Sequence, residues 1–283
     1  MALILLPAFA MLGLAAGSVI AEESCSADGC SGGTTQGGVL LQRKSIVGQT
    51  GRLDLSAELN KTDAVLRVMS YNTQYSGYPA RVGQFGAKIR DVGAAVVGTQ
   101  ECQDKNALAA ASGYGVVPGT DFQNPIFYNP GQVSFVADSG GWLKLPSDNH
   151  ASRTLTWAKF RLGSSDFWFF NTHLPHATGV AASSMTHSYI AQTLLQKRAE
   201  LGAGSAPTVV IGDMNPFASA GAPASFESAL AAAGIRKAYQ AQGNPGYSGL
   251  DKIFASSHWS SSNGADQGTG SSDHPAIAVD LAL

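Results

Sequence analysis

Seven polar residues of the kinds that bind metals or transfer protons stand at the ends of short apolar runs in the sequence. They are Asn72, Glu101, His173, Asp213, Asn215, Asp251 and His274. In an α/β sheet, the residues just past the strand ends gather along one edge, where ligands usually bind. The sequence therefore predicts that these side chains converge in a single cleft.

The chemistry open to this set is metal-assisted attack of water on a phosphoester. Glu101 and Asp273 are hard oxygen ligands, and Asn72 can add or orient a carbonyl. Mg²⁺ prefers a few protein carboxylates together with water and phosphate oxygens. Such a metal would polarise a phosphoryl oxygen and offset charge on the leaving group.

The remaining residues are suited to proton transfer and positioning. A pair formed by His274 and Asp251 would keep one imidazole nitrogen available to the phosphate or to the attacking water. Asp213 and Asn215 lie two residues apart on a tight turn, where they could position that water and the phosphate together. His173 would be a second donor to the phosphoryl group.

Each of these residues also has a purely structural explanation. Asp, Asn and Gly are ordinary turn residues at strand ends, and a single Asp often caps a helix. His173 follows an aromatic run, where a histidine is commonly a hydrogen-bonded core residue. The ordered set, with each polar group attached to an apolar run, favours chemistry over turns.

Short apolar runs alternate with amphipathic or Ala-rich stretches, and these elements must position the polar residues. The predicted strands are Val65–Tyr71, Ala94–Thr99, Ile126–Tyr128, Gln132–Ala137, Thr154–Leu162, Phe167–Thr172, Thr208–Ile211, Lys252–Ala255 and Ala276–Leu281. The predicted helices are Ala80–Val92, Lys105–Ala111, Ser184–Leu201 and Ala224–Ala233. Closely spaced strands with intervening helices indicate an α/β domain with a mixed sheet or two stacked sheets.

The composition excludes several classes of protein. The 283 residues are 44% hydrophobic and 13% charged, which argues against a wholly disordered chain. The 33 glycines follow no G-X-Y period, so collagen is excluded. A net charge of −2 weighs against a basic protein that wraps nucleic acid without regard to sequence. It does not exclude an enzyme that grips phosphates locally with a metal.

The N-terminal segment Ala2–Ile20 is almost wholly apolar. Val19 and Ala21 occupy the small-residue positions of a cleavage site, which predicts a signal peptide and a secreted or lumenal protein. The alternative is an uncleaved membrane anchor, because the run is close to the roughly 18 residues that can span a bilayer. The predicted organisation is a signal peptide or signal anchor over 1–21, a flexible leader over 22–60 and a catalytic domain over 61–283.

The three cysteines carry little information. Cys25 and Cys30 flank a small polar loop and could pair in an oxidising lumen, which the sequence leaves open. Cys102 is expected to be a small buried thiol. Three scattered cysteines do not supply the four ligands of a structural zinc site.

Seven segments, spread from about residue 65 to the end of the sequence, resemble in order the endonuclease/exonuclease/phosphatase (DNase I-like) family. They are MSYNTQY (69–75), VVGTQE (96–101), RTLTWAKF (153–160), FNTHL (170–174), IGDMN (211–215), LDKIF (250–254) and SSDHP (271–275). The resemblance implies a four-layer α/β sandwich, with two central mixed β-sheets flanked by helices and the site at one edge.

The resemblance also implies a role for each candidate site residue. The metal-binding set is Glu101, Asn72 and Asp273. The catalytic set is His173, Asp213, Asn215, Asp251 and His274, with Asp251 orienting His274. Arg153, in the RTLTWAKF segment, is expected to face the phosphate of the substrate.

The predicted function is therefore that of a Mg²⁺-dependent phosphoester hydrolase, with Mn²⁺ or Ca²⁺ as alternative ions. The substrate is a phosphodiester or phosphomonoester: nucleic acid, phospholipid or a small phosphate ester. The choice between nuclease and phosphatase stays open, because the Trp-Cys-Asp-Arg-type run of inositol 5-phosphatases is absent and no basic cluster marks a nucleic-acid groove. The alternative from another class is a non-catalytic domain of the same fold that binds a ligand or partner. No obligate protein partner is evident.

Overall fold

The computed structural model describes residues 64–148, 150–176, 184–215, 222–243 and 249–283. The strands in this part of the chain are β1 (Val65–Asn72), β2 (Val96–Gln100), β3 (Gly115–Val116), β4 (Ile126–Tyr128), β5 (Ser134–Phe135), β6 (Gly141–Leu145), β7 (Arg153–Leu162), β8 (Ser165–His173), β9 (Thr208–Asp213), β10 (Ile235–Gln240), β11 (Asp251–Ser256), β12 (Ser260–Asp266) and β13 (Ile277–Ala282). The helices are α1 (Val82–Val92), α2 (Lys105–Ser112), α3 (Ser184–Glu200) and α4 (Ala222–Ala232), with a 3₁₀ turn at Tyr75–Gly77.

These strands form two mixed sheets. The first has the order β12-β13-β1-β2-β4-β3, and the second has the order β10-β11-β9-β8-β7-β5, with β6 also paired to β7. β1 runs parallel to β2, and β8 runs parallel to β9. The other pairings are antiparallel.

The alternation of side chains along each strand divides the core into layers. In β1, Leu66 and Val68 pack between the two sheets, whereas Met69 packs on the outer side of the first sheet. In β9, Val209 likewise faces the central layer, whereas Val210 faces outward. Both faces of each central strand are therefore buried, which accounts for the continuous apolar runs in the sequence.

The helices cover the outer faces of the sheets. Phe85 of α1 and Leu108 of α2 pack against the first sheet. Leu194 of α3 and Phe226 of α4 pack against the second sheet. The layers are thus helices, sheet, sheet and helices, which confirms the predicted four-layer sandwich.

Each predicted strand and helix is present, with its ends displaced by a few residues. The sequence analysis missed β3, β6, β10 and β12. The predicted signal peptide or anchor, the whole of the predicted leader, and Cys25 and Cys30 lie outside the described residues. No helix among the described residues is long and apolar enough to cross a membrane. Cys102 is fully buried, and burial raises the pKa of its thiol to about 11, so it is not a nucleophile at neutral pH.

Candidate active site

The strand register brings the predicted site residues to one edge of the sandwich. Within the second sheet, His173 at the end of β8 lies beside Asp213 at the end of β9. Asp251, the first residue of the antiparallel β11, lies on the other side of Asp213. In the first sheet, Asn72 at the end of β1 hydrogen-bonds across to Asp213. The two sheets therefore meet at Asp213.

A cleft of about 260 Å³ opens at this edge. Seven of the nine predicted site residues line it: Glu101, Arg153, His173, Asp213, Asn215, Asp273 and His274. The other two, Asn72 and Asp251, lie behind it and are completely buried. His150, His176 and Leu250, which the sequence analysis did not identify, complete the wall.

His274 and Asp251 form a buried pair, with 2.8 Å between the imidazole Nδ1 and the carboxylate Oδ2. Burial raises the pKa of Asp251 to about 7, although His274 opposes this effect. Burial alone would lower the pKa of His274, but the carboxylates of Asp213 and Asp251 outweigh it and raise the pKa to about 10. The proton of the pair therefore resides on the imidazole. The Nε2 atom of His274 lies 3.7 Å from Asp213 Oδ2.

The carboxylate of Asp213 is fixed from two sides. Its Oδ1 accepts a hydrogen bond from the backbone N–H of Asn215 (3.0 Å), and its Oδ2 accepts one from Asn72 Nδ2 (3.1 Å). Burial opposes ionisation, but the charge of His274 and these hydrogen bonds lower the pKa of Asp213 below its ordinary value. Asp213 is therefore an ionised acceptor facing the cleft at neutral pH.

The hydrogen bonds of Asn215 fix the tautomer of His173. The Nδ2 of Asn215 donates to the carbonyl of Leu174 (2.9 Å), which identifies this atom as the amide nitrogen. The same nitrogen lies 2.8 Å from Nε2 of His173, so Nε2 accepts and the imidazole proton is on Nδ1. Burial and the nearby Arg153 lower the pKa of His173 to about 3, so this ring is neutral whereas that of His274 is charged.

Glu101 follows β2 with a positive φ of 59° and projects into the cleft. Its Oε1 accepts a hydrogen bond from Asn72 Nδ2 (3.0 Å), and its Oε2 accepts one from the backbone N–H of Tyr75 (2.8 Å). The Oδ1 of Asn72 accepts from Gln74 N–H (2.9 Å). The amide nitrogen of Asn72 thus faces two carboxylates, an arrangement that orients Glu101 and Asp213.

Two groups of residues could hold a metal ion. Asp213, Asp251 and His274 offer ligand atoms within 4.8 Å of one another, and all three are buried. An ion held by all three would compete with the hydrogen bond between Asp251 and His274. The carboxylates of Glu101 and Asp273 also line the cleft, and Glu101 is partly exposed, which suits an ion that keeps several of its waters.

Arg153 is held in the cleft wall by Asp148. Its Nε and Nη2 donate to Asp148 Oδ2 at 3.0 and 2.6 Å, and both side chains are buried. The same carboxylate accepts backbone N–H groups of His150 and Ala151 (both 2.9 Å) and of His176 (2.6 Å). A single buried charge thus joins two loops of the cleft, and the cation of Arg153 is already paired.

A polar network beneath the cleft fixes the two sheets relative to each other. Gln100 Nε2 donates to Asn171 Oδ1 (2.7 Å), and Asn171 Nδ2 donates to the carbonyl of Thr99 (2.8 Å). Gly98 permits the close approach of the sheets, because a Cβ at this position would lie 2.3 Å from Cδ1 of Ile211. The sheets are therefore in contact directly below the side chains of the candidate site.

The sequence over residues 69–274 matches the model of the Endonuclease/Exonuclease/phosphatase family, which is more than half of the chain. The chain belongs to this family. Its match begins within β1 and ends at His274, so it spans both sheets and every candidate site residue. No curated protein matches the chain.

Solved structures share the fold at low sequence identity. An endonuclease/exonuclease/phosphatase from Bacteroides vulgatus is 21% identical with a TM-score of 0.63, covering 77% of this chain and 99% of that one. A mannosyl-6-phosphatase from Bacteroides thetaiotaomicron is 21% identical with a TM-score of 0.60, covering 77% and 100%. TDP2 of D. rerio, complexed with a single-strand DNA product, is 14% identical with a TM-score of 0.57, covering 78% and 100%. These likenesses establish the phosphoesterase fold of the family.

Proposed function

We propose that this protein is a divalent-metal-dependent phosphoester hydrolase that uses Mg²⁺ and water to cleave a phosphodiester or phosphomonoester. The observation that supports this most strongly is the charged His274–Asp251 pair, which lies across the cleft from the neutral His173, with the ionised Asp213 between them. Membership of the family, whose members are phosphoesterases, agrees with this proposal. A protein that only bound a ligand would have no need of this pair of histidines in opposite protonation states.

In the proposed reaction, the side chains of the chain position and protonate the reactants. Asp213 accepts a hydrogen bond from the attacking water and aligns it with phosphorus. His274 donates through Nε2 to a phosphoryl oxygen, while Asp251 holds its ring in place through Nδ1. Asn215 holds the neutral ring of His173 through Nε2, so the Nδ1–H of His173 is the group that donates to the phosphate.

The proposed metal ligands are Glu101 and Asp273, with Asn72 orienting the carboxylate of Glu101. The exposed oxygen-rich lip of the cleft suits Mg²⁺, with Mn²⁺ or Ca²⁺ as alternatives. When bound, the metal supplies positive charge that polarises a phosphoryl oxygen and offsets charge on the leaving group.

The experiment that tests this proposal measures metal-dependent hydrolysis by the purified full chain. The substrates are supercoiled plasmid, bis-p-nitrophenyl phosphate and p-nitrophenyl phosphate, each with Mg²⁺ or with EDTA. His274→Ala is compared with His258→Ala, a matched control because His258 is exposed and does not line the cleft. We expect hydrolysis that is lost with EDTA and in His274→Ala but retained in His258→Ala.

The three substrates distinguish the classes that the sequence leaves open. Nicking of plasmid indicates a nuclease, hydrolysis of the diester alone indicates a phosphodiesterase of small or lipid substrates, and hydrolysis of the monoester indicates a phosphatase. Hydrolysis that persists in EDTA would contradict the proposed dependence on a divalent metal ion. Hydrolysis retained in His274→Ala would contradict the role assigned to this residue.

We further propose that residues 1–21 direct export, so that the enzyme acts on its substrate in a secreted or lumenal setting. The support is the apolar run followed by small residues at the predicted cleavage site. N-terminal sequencing of the cell-derived protein tests it. A mature chain beginning at Glu22 is expected, and an intact Met1 on a membrane-bound protein would indicate the anchor instead.

A further inference from the structure

The catalytic cleft continues into a groove that the proposed reaction does not use. A second cavity of about 230 Å³ shares the walls formed by Glu101, Arg153 and His173 with the cleft. A third cavity of about 300 Å³ shares the walls formed by Gln123 and Ser152 with the second. We call the second and third cavities the side groove. It provides space for a substrate group larger than the phosphate, in the size range of small-molecule sites.

Asn124 lines the part of the side groove nearest the cleft, and its side-chain oxygen Oδ1 is a buried acceptor. Asn124 Nδ2 donates to Thr154 Oγ1 (2.6 Å), and that hydroxyl donates to Asp121 Oδ2 (2.9 Å). Because a carboxylate only accepts, this chain of bonds fixes the orientation of the Asn124 amide. Its Oδ1 therefore has no hydrogen-bond partner among the described residues, although Asn124 is 2% exposed and lines the cavity.

Such an atom points to a ligand. Buried polar atoms without partners are uncommon and costly in folded proteins. A substrate that placed an O–H or N–H group in the second cavity would satisfy it. The group that Asn124 recognises is therefore a hydrogen-bond donor of the substrate, placed in the cavity that adjoins the phosphate site.

The far part of the side groove presents two exposed aromatic rings. Phe122 is 52% exposed and Trp142 is 50% exposed, and both line the third cavity. Trp142 and Lys144 lie two residues apart in β6, on the same exposed face of the strand. Lys144 forms no ion pair with any residue that the structure describes, and it lines the same cavity. Flat apolar faces beside a free cation suit a planar ring with acceptor atoms at its edge.

The order of these features along the groove matches the order of groups in a nucleotide. The phosphate site comes first, then an acceptor for a hydroxyl, and then a stacking surface with a cation. An acyl chain would bury the polar wall of Asp121, Gln123 and Thr154 without replacing its hydrogen bonds to water. A long duplex would need a basic surface, which the net charge of −2 does not supply.

We propose that the side groove binds the nucleoside part of a nucleotide ester, with a sugar hydroxyl donating to Asn124 Oδ1 and the base stacking on Phe122 and Trp142. This inference rests on the proposed function, because the catalytic cleft then holds the phosphate of the same molecule. It assigns specificity to residues that lie outside the catalytic set.

Binding of a non-cleavable ligand tests the proposal separately from catalysis. The probe is the adenosine phosphonate in which a methylene group replaces the 5′ ester oxygen. It is compared with the same compound without the base and with its 2′,3′-dideoxy form. Kd is measured by calorimetry with the full chain and Mg²⁺. Base stacking on aromatic side chains predicts that removing the base weakens binding about tenfold, and removing the hydroxyls about fivefold.

Variants assign these losses to the groove. In Phe122→Ala and Trp142→Ala, removing the base from the ligand should raise Kd by less than about threefold, and we call this increase in Kd the base penalty. Tyr189→Ala is the matched control, because Tyr189 is a similarly exposed aromatic residue that lines none of these cavities, and it should keep the full penalty. In Asn124→Ala the dideoxy and hydroxylated ligands should bind alike, and if that variant does not fold, the ligand comparison in the native chain decides.

Two results would overturn the proposal. The first is equal Kd for the ligands with and without the base in the native chain, and the second is an undiminished base penalty in Phe122→Ala and Trp142→Ala. Hydrolysis of bis-p-nitrophenyl phosphate and p-nitrophenyl phosphate is followed in parallel. If the protein hydrolyses these esters but its Kd shows no preference for ligands with the base, the proposal for the side groove is refuted and the proposed hydrolase function stands. If the protein binds the nucleoside ligand but hydrolyses neither ester, the proposed function is refuted and the side groove stands.

Discussion

The carboxylate of Asp148 joins two loops of the cleft, so Asp148→Ala measures how far the cleft wall depends on one buried charge. Asp148 accepts two hydrogen bonds from Arg153 and three from backbone N–H groups. The variant leaves the guanidinium of Arg153 buried without its partner. Breaking a buried pair in this way costs about 3–5 kcal/mol. We expect the free energy of unfolding to fall by that amount.

Asp166→Ala is the matched control. Asp166 pairs with Arg161 and with Lys159, each at 2.7 Å, a separation close to that of the buried pair, but the Arg161 side chain is 56% exposed and that of Lys159 is 30% exposed. Exposed pairs contribute less than about 1 kcal/mol, so this variant should be nearly neutral. Urea denaturation of both variants at pH 7 makes the comparison. If Asp148→Ala cost no more than Asp166→Ala, the cleft wall would not depend on the buried charge.

The same pair predicts a dependence of stability on pH. Burial opposes ionisation of Asp148, but the N–H groups of His176 and Ala151, together with Arg153, lower its pKa to about 2. A carboxylate whose pKa is lower in the folded state stabilises the protein above the pKa of the unfolded chain, near 4. That contribution is lost as the pH falls from about 4 to 2. The stability difference between the native chain and Asp148→Ala should therefore shrink by about 2 kcal/mol over this range.

Three further changes test the site. Asp251→Asn should lower kcat on the order of 100-fold, because His274 loses its orienting charge. Urea denaturation of this variant should show that the free energy of unfolding falls by less than about 2 kcal/mol. An unchanged kcat would contradict the role of the pair. Glu101→Gln should raise the Mg²⁺ concentration for half-maximal activity about tenfold in a metal titration, and an unchanged value would remove it from the metal site. Gly212→Ala would place a Cβ 1.9 Å from the carbonyl oxygen of Thr172. Thermal denaturation should therefore show that the free energy of unfolding falls by at least about 2 kcal/mol. A variant as stable as the native chain would contradict this packing.

The strands that the sequence predicted are those with apolar residues on their buried faces. β12 (Ser260–Asp266) was missed because it contains no large apolar residue and lies at the edge of its sheet, where it is held by backbone pairing to β13. β10 is likewise an edge strand, with Arg236 and Lys237 exposed. Hydrophobic patterns report burial, so they find central strands and miss edge strands that are stabilised chiefly by hydrogen bonds.

The sequence predicted which residues form the site, but not which of them are buried behind the cleft. Residue type and order predicted the set that converges on Asp213, because each member lies at or near one end of a strand. The pairing of Asp251 with His274 was predicted, but nothing in the sequence indicated that Asn72 and Asp251 lie completely buried behind the cleft, where they contact Glu101 and His274. Asp148 was missed for a different reason, since it lies in a loop that follows no strongly apolar run. Its importance comes from the three segments whose N–H groups and side chains meet at it, a property of the tertiary structure.

The charge of the cleft supports the proposed binding of a cation. The carboxylates that line the cleft outnumber its cations: they are Glu101, Asp213 and Asp273, against the imidazolium of His274, which is itself paired with Asp251 behind the cleft. The guanidinium of Arg153 is neutralised by Asp148, and His173 is uncharged. A phosphate oxyanion entering this cleft would meet net negative charge in a partly desolvated space, where repulsion is stronger than in water. A divalent ion bound at Glu101 and Asp273 would reverse the sign of the charge at the outer part of the cleft, and would leave the buried carboxylates free to orient a histidine and a water. The acidic character of the cleft therefore supports the proposed metal dependence. In that proposal the paired Arg153 forms part of the cleft wall, and the ion would supply the attraction for phosphate.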